Sequence, residues 1–178
     1  MRFEVSQEDV KKAKIPHEIF LTNLIGNHIL MAVGVGGVAG SFPWAMALIP
    51  ILSFSQLSYT LWRARQSIKT DPWYPMCHWQ VCARRSKIFI TMLIMLSIII
   101  VLGWVGYSYL GLMREAVLAL IGGMGLLPVM VTVLVLIIIE SDALYHANQA
   151  KLPDWVIKRH PHPPGINVIE EVKPDYYD

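Results

Sequence analysis

Long apolar runs, interrupted by a few short polar intervals, set the pattern of this 178-residue chain. No Asp, Glu, Lys or Arg occurs in residues 19–62, 88–113 or 116–139. A helix needs about 20 apolar residues to cross the hydrocarbon layer of a bilayer. Residues 19–39, 43–62, 88–110 and 116–139 each satisfy that length, and the intervals 40–44 and 111–115 leave room only for tight turns. The pattern predicts an all-α membrane protein, with residues 19–62 and 88–139 forming two transmembrane hairpins. Within this frame Pro50 is expected to kink the second span.

Composition supports the same class. Charged residues make up 16% of the chain, against roughly 25% in soluble domains, and the apolar residues are clustered rather than dispersed. The small residues also fall in a pattern. Ala32, Gly36 and Gly40 stand four apart in the first span, and Gly122 and Gly125 mark the fourth. Such spacing lets two helices approach closely, so these positions are expected to pack helix on helix. The glycine-rich run at 34–40 follows no strand, which removes a nucleotide-loop reading.

The polar intervals divide the remainder. Residues 1–18 form an N-terminal segment in which Ser6 and Asp9 read as a capping box and Glu8 and Lys12 as a helical pair. Pro16 is expected to break or bend it at the membrane surface, leaving a solvated helix near the headgroups. Residues 63–87 read as a basic, aromatic loop, because Pro72 and Pro75 oppose a continuous helix. Residues 140–151 extend the fourth helix beyond the membrane. The tail, 152–178, holds five prolines and is expected to be extended, disordered alone and ordered on a partner.

Charge then fixes an orientation. Arg63, Arg65, Lys69, Arg84, Arg85 and Lys87 flank the second and third spans, whereas the two short turns hold a single basic residue, Arg114. The positive-inside rule places both termini and residues 63–87 in the cytoplasm, and a bacterial inner membrane is the expected setting. The first residues lack the form of a cleavable signal peptide. The basic residues flank apolar segments instead of covering a separate domain, so no nucleic-acid partner is expected. Anionic lipid headgroups or a protein partner are expected at Arg63, Arg65, Trp73, Tyr74, Trp79, Arg84, Arg85 and Trp155, since Arg and aromatic side chains serve both interfaces and headgroups.

Candidate chemistry is sparse. The topology brings His17 and Glu18, the Cys77–His78–Cys82 group, and Glu140, Asp142 and His146 to one membrane face. Cys77, His78, Cys82, Asp142 and His146 are weak metal candidates, with zinc the natural ion for such N and S donors. Free thiols and interfacial histidines explain them as well. Asn23, Asn27, His28 and Gln56 are polar within the spans, where such groups are functional candidates by default. A neutral His28 hydrogen-bonded to a neighbouring helix is the preferred account. No nucleophile elbow, phosphate loop or HExxH motif occurs.

The expected function is therefore a non-catalytic membrane subunit, without cofactor, that assembles into a larger secretion, respiratory or transport complex. The alternative is an ion- or solute-conducting protein using the polar residues of spans one and two. A haem- or metal-binding redox subunit is the third reading.

Overall fold

The computed structural model describes residues 1–38 and 40–170; the acidic end of the tail, 171–178, lies outside the described residues. The described residues are all-α apart from a two-stranded ribbon, and four helices among them are long and apolar enough to cross a membrane.

Helix α1 (Gln7–Val38) starts as its sequence predicts. The Ser6 hydroxyl accepts the Asp9 amide at 3.0 Å and donates to the Asp9 carboxylate at 2.8 Å, which satisfies an amide that the helix leaves unpaired. Pro16 does not break this helix. Its own carbonyl accepts the Cys82 thiol at 3.3 Å, and both residues are buried. The first turns are therefore not a separate surface helix; Val10, Ala13, His17 and Phe20 carry one buried face straight into the first span. Over Thr22–Met31 the helix widens to π geometry, in which each amide reaches one residue further back.

Helix α2 (Leu48–Thr70) follows a 3-10 turn at Pro43–Ala47. Pro50 falls in its first turn, where a missing amide costs little, so the departure from α geometry lies just upstream of Pro50. Asp71 and Pro72 then link α2 to α3 (Trp73–Tyr109).

The expected loop at 63–87 is accordingly two helix ends joined by a two-residue corner. Pro72 precedes the first helical residue and Pro75 lies in the first turn, positions at which proline starts a helix instead of stopping one. With 37 residues, α3 is about 55 Å long. That exceeds the roughly 30 Å hydrocarbon layer, so its basic first third stands outside the membrane-spanning segment.

Helix α4 (Arg114–Asn148) contains a π segment at Ile121–Leu126, and the turn before it uses Gly111 at φ +68°. The tail departs from expectation. Asp154–Arg159 forms a short helix, α5, because Pro153 is its N-cap and Pro161 comes after its end. The ribbon pairs β1 (Arg2–Phe3) with β2 (Val168–Glu170), antiparallel.

Two main cores result. In the head, Phe3, Val10, Ala13, Tyr74, Cys77, Val81, Ala147, Leu152 and Val156 pack together. In the spans, Phe20, Leu24, Leu57, Phe89, Val129, Val133 and Leu136 do so. The tail thus docks on its own chain, through Val156 in the head core and partly buried Trp155 and Ile157 beside it.

The glycines divide by environment. A Cβ on Gly125 would sit 2.9 Å from Leu96, and one on Gly103 would sit 3.1 Å from Val117. Gly34, Gly36, Gly37, Gly40, Gly122 and Gly123 face open space. Of the expected packing positions, Gly125 is packed within the chain. Ala32 is half-buried, whereas an added Cβ on Gly36, Gly40 or Gly122 meets nothing among the described residues.

Candidate functional site

Four ionisable side chains from three helices meet where the head joins the spans. Each is carried there by the face on which it lies. His17 continues the buried α1 face of Ala13 and Phe20. Glu140 continues the α4 face of Val133, Leu136, Ala143 and Ala147, and His78 lies one turn beyond Tyr74 on α3. His17 Nδ1 is 2.5 Å from Glu140 Oε2, and His17 Nε2 is 2.9 Å from His78 Nδ1. Arg85 Nη1 lies 3.2 Å from Glu140 Oε1 while donating to the Ile139 carbonyl at 3.1 Å.

A neutral His17 with its proton on Nδ1 donates to Glu140 and accepts from His78 Nδ1–H. A protonated His17 donates to both. Arg85 stands beside the other carboxylate oxygen, Glu140 Oε1, which among the described residues has no hydrogen-bond partner. Burial holds His78 well below the ordinary histidine pKa, and the nearby charges of His17, Arg85 and His146 add to this. The Tyr74 ring packs edge-on against His78 at 4.8 Å, and its hydroxyl donates to the Ala147 carbonyl at 2.9 Å. His17 and Glu140 are 0% exposed and His78 is 1% exposed. The cluster's chemistry is to tie α1, α3 and α4 together by charge-assisted hydrogen bonds.

The metal candidates are separated. Cys77 lies in the head core and Cys82 in the core of the spans, and burial pushes the Cys77 thiol up to about 12. A protonated thiol is a poor ligand. Asp142 and His146 form a solvent-facing pair at 3.4 Å, and His78 turns to His17 instead. Among the described residues no three His, Cys, Asp or Glu side chains are grouped to hold a metal.

The intramembrane polar residues do come together. The Asn27 amide donates to the Ile49 carbonyl at 2.9 Å and to Asn23 Oδ1 at 3.3 Å, and Asn23 donates to Ser53 at 3.4 Å. This set joins α1 to α2. His28 differs from the preferred account: its Nδ1 meets the Asn23 carbonyl of its own helix at 3.0 Å, within the π segment, and its ring packs on Phe89. Among the described residues, Gln56 Oε1 and Asn27 Oδ1 are buried without a hydrogen-bond partner. Phe20 and Leu24 lie between His17 and Asn27 on the α1 face, in one apolar cluster with Leu57 and Phe89, so the two polar sets do not form a continuous path.

Most of the basic and aromatic residues expected at an interface turn inward. Tyr74 and Trp79 are buried. Arg63 Nη2 lies 2.8 Å from both Asp71 carboxylate oxygens, with its guanidinium 5.2 Å from the Trp79 ring. Trp73 donates to the His160 carbonyl at 2.9 Å, and Arg85 belongs to the charge cluster. Arg65 and Arg84 stay exposed, Arg84 lying 4.6 Å from the Trp155 ring.

Residue types alone favour Asp142–His146 as ligands; His17, His78 and Glu140 are expected to share one membrane face, but not to meet there. The available signal was helical phase: a carboxylate at 140 follows Val133 and Leu136 and precedes Ala143 and Ala147, so it must share their buried face. Comparison of the chain with protein-family models, curated proteins and solved structures finds no match.

Proposed function

We propose that this chain is a non-catalytic subunit of a larger membrane complex, joining it through the glycine-rich end of α1 and the turn after it. The observation that carries this reading is the row Gly34, Gly36, Gly37 and Gly40, where an added Cβ would meet nothing within 4 Å. The last five residues of α1 hold three glycines, Gly34, Gly36 and Gly37, and Gly40 stands in the turn that follows; such a helix end gives up side-chain packing and backbone rigidity. Close approach of another helix is the use that offsets this cost in a bilayer, and among the described residues no helix of this chain makes that approach. The buried charge cluster supports a structural role, since it braces the head.

In this reading the spans form two hairpins, α1 with α2 and α3 with α4, and both termini and the head face the cytoplasm of a bacterial inner membrane. Neighbouring membrane subunits cover the glycine-rich end of α1. Because the tail docks on its own head, the partner surface is on the spans. The test is purification of the tagged full-length protein in mild detergent. Gly36→Leu with Gly40→Leu is expected to lose the co-purifying subunits, while Ile98→Leu, at an exposed α3 position, retains them. An unchanged set of partners in the glycine variant removes this reading.

A further inference from the structure

On the flank of the head, Gln80, Arg84 and Lys87 of α3 face Trp155, Arg159 and His160 of the tail across a polar cleft of about 380 Å³. Three of these side chains are cations and no carboxylate lines the cleft. Among the described residues, Arg84, Lys87 and Arg159 form no ion pair. This is unlike Arg63 and Arg85, which meet Asp71 and Glu140. Uncompensated positive charge registers on the neighbouring ring. The pKa of His160 is lowered, by burial first and then by the charge of Arg159.

The cleft is also preformed. The Arg84 guanidinium lies over the Trp155 ring at 4.6 Å, which fixes its long side chain before any ligand arrives. Position decides the class of ligand. Lys87 is the residue before the charge-free run that begins at Ile88, so one wall of the cleft stands at the level of the headgroups. Basic pockets at that depth suit lipid phosphates.

We propose that this cleft binds the phosphate of an anionic membrane lipid, with Arg84, Lys87 and Arg159 as its charge partners and Trp155 as the ring that holds Arg84. The assignment goes beyond subunit assembly and does not depend on it, because the cleft is built from this chain alone.

The test uses full-length protein in a neutral detergent, titrated with a short-chain phosphatidylglycerol and separately with the matching phosphatidylcholine, binding being read by native mass spectrometry. Phosphatidylglycerol is expected to bind one per chain in preference to phosphatidylcholine. Arg84→Gln, Lys87→Gln and Arg159→Gln combined are expected to weaken it roughly 100-fold. Arg65→Gln with Lys69→Gln, which removes two exposed cations of α2, is expected to leave binding unchanged. Melting temperatures in detergent alone report whether each variant is folded; should the triple variant be unfolded, Arg84→Gln alone takes its place, with an about fivefold loss expected. Equal binding of both lipids, or an equal loss in the Arg65 and Lys69 variant, overturns the proposal. Displacement of phosphatidylglycerol by inorganic phosphate at the same concentration overturns it in favour of a soluble anion.

Discussion

Glu140 accepts from His17 on α1 and stands beside Arg85 on α3, so its removal leaves one buried and one half-buried partner unmatched at once. Breaking a buried ion pair by removing one member costs about 3–5 kcal/mol, far more than loss of an exposed pair such as Lys12–Glu8. Protonation at His78 acts in the same place. Its folded pKa is lowered, whereas in the unfolded chain the ring titrates near 6.5. Below that pH the unfolded state binds more protons, and stability falls as pH falls, by at most about 1.4 kcal/mol per pH unit for one proton. The groups facing His78 are His17 from α1, His146 from α4, and Tyr74 and Arg85 from its own helix. Thermal unfolding in detergent from pH 8 to pH 5 is expected to show a midpoint dropping below pH 6.5. Glu140→Ala should lie well below wild type at every pH, and His78→Gln should have a shallower acid limb. A Glu140→Ala midpoint equal to that of wild type would mean that the cluster does not brace the head.

At the scale of the helices, the glycines divide into those this chain uses and those it leaves open. Gly125 admits Leu96 and Ile99 of α3, and its added Cβ would lie 2.9 Å from Leu96 Cδ1. Gly125→Val is expected to destabilise the isolated protein by about 1–3 kcal/mol, the usual cost of an overfilled contact. Gly36→Val should leave it unchanged in detergent. Chemical unfolding of the two purified variants checks the difference, and equal losses would mean that both faces are packed. Spacing alone suggested Gly36, Gly40, Gly122 and Gly125 without distinguishing them, because a spacing of three or four says which residues would share a helix face and not what that face meets. The spans were legible for a simpler reason: an apolar run of some 20 residues without charge suits a bilayer and little else. The corner at Asp71–Pro72 was not, because proline stops one helix and starts the next equally well, and only position within the turn decides. The π segments at Thr22–Met31 and Ile121–Leu126 have no composition of their own that would announce them.

Across the whole molecule the head is assembled from segments far apart in the chain, which explains why its proline-rich tail read as unstructured. Leu152 and Val156 reach a core whose other members come from α1, α3, α4 and β1, so no local pattern could show that the tail has a place to go. The tail in turn closes the head. The Leu152 amide donates to the Met1 carbonyl at 3.2 Å, Phe3 and Ala150 are hydrogen-bonded at 2.9 Å, and Trp73 donates to the His160 carbonyl. Val156, fully buried, is the point at which this can be opened with one substitution. A carboxylate placed there has no partner and costs several kcal/mol, whereas the spans keep their lipid-facing surfaces and their contacts with one another. Val156→Asp is therefore expected to release the head while the transmembrane part stays folded. Hydrogen exchange in detergent should speed up over residues 7–20 and 73–83 and remain slow over 88–109 and 127–139. If protection fell uniformly along the chain, head and spans would unfold as one unit. The charge cluster of His17, His78, Arg85 and Glu140 would then be the joint that couples them, and not a boundary between two cores.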